Sequence, residues 1–195
     1  ANDNASSAGS IGDSNNITYY TPSMGGLTLG ASYLDAGSGV SENADVTSVA
    51  AKYDFESGAI KGSIYYGNTN KAGASAGTAS VSGNSMGIKV ASGPITAVVA
   101  KASQDVDSSV TTSVTDYGVS YNLGNGITLA AAGTQIDENT GGETSDITTV
   151  SVKYNIASGL DAYLTYHDYD YQDGTTATAA DDDGSATLIT IKASF

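Results

Sequence analysis

The sequence contains no cysteine, no tryptophan and no arginine, and it has one histidine and two phenylalanines. The absence of cysteine fits an oxidising compartment, in which a free thiol is a liability. Together with the single histidine, it argues against a transition-metal site. No apolar run approaches the ~18 residues that a membrane-spanning helix requires, so the sequence excludes a helical membrane protein.

Positive charge is also scarce. The 195 residues include seven lysines and 21 acidic residues, which give a net charge of −14. Binding to nucleic acid requires clusters of basic residues, and here the lysines are scattered singly, so nucleic acid is excluded as a partner. The sequence has no nucleotide-binding or hydrolase motif, and His167 has no placed catalytic partner. We therefore expect neither an enzyme nor an organic cofactor.

What the sequence does contain is a pattern of period two, which is clearest in Ala186–Phe195. Ile189, Ile191 and Ala193 alternate there with polar residues, as expected of a β-strand with two different faces. The length of this segment matches the roughly 9–11 residues of a tilted transmembrane strand.

The same pattern predicts eleven strands separated by turn-rich connections. The expected strands are 15–22, 26–36, 45–55, 59–69, 83–91, 94–104, 113–123, 126–137, 146–156, 159–170 and 186–195. Short turns and long Gly/Ser/Thr/Asp-rich loops alternate without exception along the chain. This alternation is typical of an antiparallel up-and-down barrel that crosses a membrane, with short periplasmic turns and long outer loops. The fold class predicted is therefore all-β, a transmembrane antiparallel β-barrel.

Three of the short hairpins resemble one another, each with a tyrosine followed by Asp or Asn and then by glycine. Tyrosine in such a position suits the membrane interface, where its hydroxyl meets lipid headgroups. The tyrosines predicted at the interface are Tyr53, Tyr121, Tyr154 and Tyr166.

Following the period through each strand separates an apolar set of side chains from a polar set. The large apolar side chains take the face that we assign to lipid, so the interior is polar and water-filled, the inverse of a small soluble barrel. The lysines are expected on the polar face, with Lys101 the weakest case because its segment alternates poorly, and Lys71 in a long loop. The residues predicted to line the pore are Lys52, Lys61, Lys89, Asp116, Ser120, Asn122, Lys153, Asp161, His167 and Lys192.

The stretch Asn15–Leu27 (NNITYYTPSMGGL) resembles the Asn-Ser-Ile-x-Tyr-x-Ser-Pro-x-Phe-x-Gly-Phe pattern of general diffusion porins of Gram-negative bacteria, in their alphaproteobacterial form. In that family the pattern lies on the strand after the constriction loop. A C-terminal aromatic residue, here Phe195, closes the barrel in the same family. Met24 and Leu27 replace aromatic residues of the pattern, and the family's arginine cluster is missing.

The resemblance implies the last eleven strands of a 16-stranded trimeric barrel in the bacterial outer membrane. Residues 1–14 would be the end of the constriction loop or another irregular segment, and residues 15–195 the barrel strands with their turns and loops. The function implied is passive diffusion of small hydrophilic solutes and ions. The partners implied are membrane lipid, lipopolysaccharide and two further copies of the chain.

Acidic residues in the predicted loops and mouth suggest a negative outer entrance and a modest preference for cations. These residues are Asp105, Asp107, Asp116, Asp168, Asp170, Asp181, Asp182 and Asp183. Asp181, Asp182 and Asp183 also offer oxygen ligands for a possible calcium ion, or for divalent bridges to lipopolysaccharide, although a solvated loop explains them as well. An alternative from another class stays open: a secreted or surface-layer structural β-protein that binds calcium. A barrel enzyme is a further alternative.

Overall fold

The computed structural model describes residues 15–35, 45–73, 79–106, 109–138, 142–174 and 181–194, and these form eleven β-strands. Their bounds are β1 Asn15–Tyr20, β2 Leu27–Asp35, β3 Val46–Ser57, β4 Ile60–Lys71, β5 Val81–Ser92, β6 Ile95–Val106, β7 Ser109–Gly124, β8 Ile127–Glu138, β9 Glu143–Ala157, β10 Leu160–Gln172 and β11 Asp182–Ala193. The eleven predicted strands are all present.

The strands form one sheet in which spatial order follows chain order from β1 to β11, and every neighbouring pair is antiparallel. This is the up-and-down arrangement that the sequence predicts, and the fold class is confirmed. In the described part of the chain, β1 pairs only with β2 and β11 only with β10, so these two strands form the edges of the sheet. Among the described residues, no helix has the length and apolarity needed to cross a membrane.

Tight turns join the strands along one edge of the sheet, which we call the short-turn edge. Two-residue turns connect β3 to β4, β5 to β6, β7 to β8 and β9 to β10. In the turn after β7, Asn125 and Gly126 have φ angles of 51° and 79°, the left-handed pair that matches the twist of a tight hairpin. Asn122 stabilises this turn by accepting a hydrogen bond of 2.8 Å from the backbone N–H of Gly124.

The sheet is a single layer without a hydrophobic core. Among the described residues, the only buried hydrophobic side chain is that of Val46, which is 7% exposed. Large apolar side chains are instead open to the surroundings, as at Val119, Leu164 and Ile191, which are 49%, 50% and 60% exposed. A water-soluble protein does not leave this much apolar surface uncovered, so the sheet requires an apolar environment on one side.

Aromatic rings lie over glycines on neighbouring strands at five points of the sheet. The register places each ring directly opposite its glycine, where a Cβ atom would collide with the ring. Such pairs let a ring lie flat along the sheet and fix the register of two strands. The five pairs are Tyr20 with Gly30, Phe55 with Gly62, Tyr65 with Gly87, Tyr117 with Gly133 and Tyr169 with Gly184.

The edge of the sheet opposite the short-turn edge, where the long connections join the strands, is called the long-loop edge. Several strands extend further toward it than the sequence predicts. β7 begins at Ser109 rather than near residue 113, and β11 begins at Asp182 rather than near residue 186. Asp182 and Asp183 are therefore strand residues opposite Tyr171 and Asp170 of β10, not loop residues. Likewise Lys71, which was expected in a loop, is the last residue of β4.

Candidate functional site: the polar face of the sheet

The strand register brings the ten predicted pore-lining residues to one side of the sheet, which we call the polar face. Continuous rows of paired residues cross the strands on this face, such as Lys52–Tyr65–Gly87–Ala100–Asp116 from β3 to β7. A second row runs through Asn155, Asp161 and Lys192. Their function as a pore lining stays a prediction.

Three lysines of the polar face form ion pairs, each with an N···O distance of 3.0 Å. Lys52 pairs with Asp54 two residues along β3, and Lys61 of β4 pairs with Glu56, directly opposite on β3. These four side chains are more than half exposed, so the pairs contribute little stability but keep the wall close to neutral. The sequence predicts that these lysines lie on the polar face, but it does not predict which carboxylates neutralise them.

The third pair is the least exposed and belongs to a small network near the short-turn edge. Lys153 of β9 contacts Asp161 of β10 at 3.0 Å, with the two side chains 39% and 20% exposed. Asn155 donates a hydrogen bond of 2.9 Å to the other carboxylate oxygen, and the Lys153 ammonium lies 5.8 Å from the centre of the Tyr163 ring. Both oxygens of Asp161 are thus engaged, which fixes the orientation of its carboxylate.

Other cross-strand pairs on the polar face are joined by hydrogen bonds between their side chains. Thr134 donates a 2.6 Å hydrogen bond to Asp116, its partner across β7 and β8. Thr149 Oγ1 lies 2.8 Å from His167 Nδ1, again between register partners. His167 is therefore held by a neighbouring hydroxyl, which supports its interpretation as a wall residue rather than a catalytic one.

The opposite side, which we call the apolar face, carries an apolar band beside the short-turn edge. In each of the strands β3, β4, β7 and β10, alternate residues of a segment about 20 Å long, at ~3.3 Å per residue, are mostly apolar. The four predicted interface tyrosines lie on this face, between 43% and 48% exposed. Beyond the band, toward the long loops, the same face becomes polar.

Tyrosines mark the boundary of the apolar band on the long-loop side. Tyr33 donates a hydrogen bond of 2.8 Å to Asp45, and Tyr66 donates one of 3.2 Å to Asn84. Tyr166 donates one of 3.0 Å to Asp168. In each case the ring belongs to the band while the hydroxyl reaches the polar residues beyond it, as at a membrane–water interface. Only Tyr166 of these three was predicted in this role.

Three expectations about the two faces are corrected by the register. Lys101 lies on the apolar face, opposite Met86 and Thr115, because the two-residue turn after β5 fixes the phase of β6. The polar face is also less polar than predicted, since it carries Tyr65, Val98 and Leu188 among other apolar side chains. Four acidic residues expected at the pore entrance are on the apolar face beyond the band: Asp105, Asp168, Asp170 and Asp183.

The structure does not bring the ligands of the predicted calcium site together. Asp182 and Asp183 are consecutive in β11, so their side chains leave the sheet on opposite faces. Among the described residues, no three His, Asp or Glu side chains form a group able to hold a metal. Calcium binding at Asp181, Asp182 and Asp183 stays a prediction.

The predicted role of Phe195 in closing the barrel also stays a prediction, because this residue lies outside the described residues.

A single-layer antiparallel sheet with an apolar band on one face, tyrosines at its margin and an ion-paired polar face defines the wall of a transmembrane β-barrel. The Gram-negative porin family model matches residues 1–194, and the chain belongs to this family. Comparison with curated protein sequences finds no match.

Solved structures share the fold at low sequence identity. The anion-selective porin from Comamonas acidovorans matches with a TM-score of 0.63 and 15% identity over 91% of this chain and 57% of its own. OmpF of Salmonella typhi, in complex with daunomycin, matches with a TM-score of 0.60 and 13% identity over 90% and 61% of the two chains. OccAB4 of Acinetobacter baumannii matches with a TM-score of 0.66 and 9% identity over 92% of this chain and 52% of its own.

The chain thus spans between about half and three fifths of the length of these three porins. Family and structural neighbours, which include an outer-membrane protein of Vibrio cholerae, agree on the bacterial outer membrane as the location.

Proposed function

We propose that the native protein forms a water-filled channel through the outer membrane, by which small hydrophilic solutes and ions diffuse passively. The observation that carries this proposal is the absence of a hydrophobic core in the described sheet, together with the sorting of its side chains. The apolar band faces outward to lipid, and the polar face with its ion pairs lines the lumen.

A barrel wall of this kind must have no open edge in hydrocarbon, because unpaired backbone N–H and C=O groups are not hydrated there. In the described part, β1 and β11 each need a second partner strand. The full-length protein supplies these partners in our proposal, and three copies associate as in the general diffusion porins. Lipid and lipopolysaccharide surround the outer faces.

Channel activity rather than catalysis is the proposed role of the polar face. Its one histidine, His167, contacts the hydroxyl of Thr149, and its register neighbours on the polar face, Thr149 and Ala186, are uncharged. A threonine nucleophile also requires a third group that orients its base, and no carboxylate is among these register neighbours. The proposal assigns these groups to ion and solute passage.

The test is single-channel recording with the purified full-length protein in a planar lipid bilayer. We expect stepwise, ohmic conductance increases, in groups of three if the trimer inserts as a unit. A protein that binds detergent but remains electrically silent contradicts the channel, since a plugged barrel conducts no ions. A protein that stays soluble without detergent contradicts the membrane location and favours a secreted structural role.

A further inference from the structure

The polar face contains an open recess on the long-loop side of Tyr65, with a volume of about 370 Å³. Two neighbouring rows of register partners, which run from β3 to β7, form its wall. This volume lies at the lower end of the roughly 300–1,000 Å³ that is usual for small-molecule sites. We call it the neutral recess, because none of the residues that line it is charged.

The row nearer the short-turn edge carries small side chains, which give the recess its depth. Gly67 and Ser85 are register partners in this row, and the Ser85 hydroxyl lies 3.0 Å from the point that a Cβ of residue 67 would occupy. A hydroxyl group is therefore present on the floor of the recess. The row consists of Ala50, Gly67, Ser85, Ala102 and Val114.

The next row toward the long-loop edge supplies more polar groups. Its hydroxyls belong to Ser48, Thr69 and Thr112, and Gln104 adds an amide. Ser48 and Thr69 are half-buried register partners, and their hydroxyl oxygens lie 3.0 Å apart. Their hydrogen bond uses one hydroxyl hydrogen, so the second hydrogen and the remaining lone pairs can bind a solute. Because hydroxyls both donate and accept, this row matches a solute that carries hydroxyls of its own.

Tyr65 adds an aromatic surface at the edge of the recess. It precedes Gly67 by two residues on β4, and its ring lies over Gly87 of β5. One face of the ring is therefore against the wall, and the other is open to the lumen, since the side chain is 40% exposed. The face of an aromatic ring carries negative partial charge, so it attracts C–H groups such as those on one side of a sugar ring.

The charged groups beside Tyr65 are engaged outside the recess. Lys52 and Asp116 lie in the same row as Tyr65, on β3 and β7. Lys52 pairs with Asp54 at 3.0 Å, on the side away from the recess. Asp116 accepts a 2.6 Å hydrogen bond from Thr134 of β8, beyond the last strand of the recess.

The charges that border the recess at the long-loop edge are of both signs. Lys71 lies two residues beyond Thr69 on β4, and Glu138 of β8 lies opposite Thr112, with Glu143 of β9 behind it. Positive and negative charge thus lie on opposite sides of the recess. Within the described residues, neither an anion nor a cation meets a countercharge inside it.

We propose that the neutral recess, with Tyr65 at its edge, binds uncharged polyhydroxylated solutes, above all monosaccharides, as they pass through the lumen. This solute class rests on the proposed channel and narrows its range of hydrophilic solutes. The hydroxyl row exchanges hydrogen bonds with the solute, and the C–H side of the sugar ring stacks on Tyr65. A charged solute loses hydration in the recess without gaining a partner of opposite charge.

The experiment measures glucose binding to the full-length protein by saturation-transfer NMR, in detergent micelles without sugar head groups. Glucuronate and glucosamine are the matched probes with one negative and one positive charge. Thr69→Val and Thr112→Val each remove a hydroxyl of the recess at nearly constant volume, and Tyr65→Leu removes the aromatic face. Thr96→Val is the control, because it makes the same change on the polar face of β6, outside the recess. Circular dichroism shows that each variant is folded.

We expect glucose to bind the wild-type protein weakly, as a channel that must release its solute requires. Thr69→Val and Thr112→Val each weaken this binding about fivefold, as for one lost hydrogen bond. Tyr65→Leu weakens it by a similar factor through loss of the aromatic face. Thr96→Val leaves it unchanged, and glucuronate and glucosamine bind the wild-type protein more weakly than glucose.

The proposal is overturned if the wild-type protein does not bind glucose, or if Thr96→Val weakens binding as much as the variants of the recess. Tighter binding of glucuronate or glucosamine overturns the uncharged class, because Lys71 or Glu138 then selects the solute. Planar-bilayer recording of the same samples tests the channel separately. A protein that is electrically silent but binds glucose with the expected variant pattern contradicts the proposed function and supports the recess.

Discussion

At the scale of single residues, the face on which a side chain lies decides its effect on stability. Ser63 and Ile64 are consecutive in β4, with Ser63 opposite Lys89 on the polar face and Ile64 opposite Ile88 on the apolar face. Ile64 is 46% exposed in the isolated sheet, so lipid must cover it in the membrane. The two neighbours therefore offer a matched pair of sites.

We predict that Ile64→Lys lowers the free energy of unfolding by about 2–4 kcal/mol, because it places a charge against hydrocarbon near the middle of the band. Ser63→Lys should change it by less than about 0.5 kcal/mol, because its ammonium group remains in water. Urea titration of the folded protein in lipid vesicles gives both values. Equal destabilisation by the two substitutions would contradict the assignment of the faces.

At the scale of elements, paired strands are held in register by aromatic rings that lie over glycines. Tyr65 covers Gly87 on the polar face, and an added Cβ at Gly87 would lie 2.5 Å from the ring and 2.7 Å from the Tyr65 hydroxyl oxygen. The ring therefore lies flat along the channel wall only because residue 87 has no side chain.

We predict that Gly87→Ala forces the Tyr65 ring off the wall and into the lumen. The free energy of unfolding falls by about 1–3 kcal/mol, as for other overpacked sites, and single-channel conductance decreases. Replacing Tyr65 by Ser in the Gly87→Ala background should restore conductance.

Gly67→Ala is the control on the same strand pair and the same face. Its nearest neighbour is the movable Ser85 hydroxyl at 3.0 Å, so conductance should be kept. A normal conductance in Gly87→Ala would show that the Tyr65 ring does not border the ion path.

The strands and their faces were predictable from sequence wherever lipid imposes a strict alternation. In β9, Val150, Val152, Tyr154 and Ile156 alternate with polar residues, and the strand was found as predicted. Toward the long loops both faces meet water, so polar residues such as Asp182 and Asp183 carry no period and the start of β11 was missed. On the polar face, the positions of the ion-paired lysines were predictable from sequence, but their carboxylate partners were not.

The misplacement of Lys101 has a similar physical cause. Val98 and Val99 are adjacent valines on opposite faces, so the sequence of β6 does not reveal its phase. The phase is set by pairing Ser92 with Ile95 across the Gly93–Pro94 turn, which is a property of the hairpin rather than of the strand. Lys101 follows from that register.

At the scale of the whole molecule, the sheet separates two environments along its entire width. The apolar band crosses from β2 to β11 beside the short-turn edge, and tyrosine hydroxyls at its margin contact polar groups beyond it. The polar face carries ion pairs and a hydrogen bond from the Thr134 hydroxyl to Asp116 at the same level. Such a sheet is stable only when one side contacts lipid and the other contacts water.

This separation of environments is the central claim, and cysteine labelling in an open channel tests it most directly, because the chain has no cysteine of its own. Val119 and Ser120 are consecutive in β7 and lie on the apolar and polar faces. A charged, membrane-impermeant thiol reagent added to single channels should reduce the current through Ser120→Cys in discrete steps and leave Val119→Cys unchanged. Current reduction in Val119→Cys with none in Ser120→Cys would contradict the account.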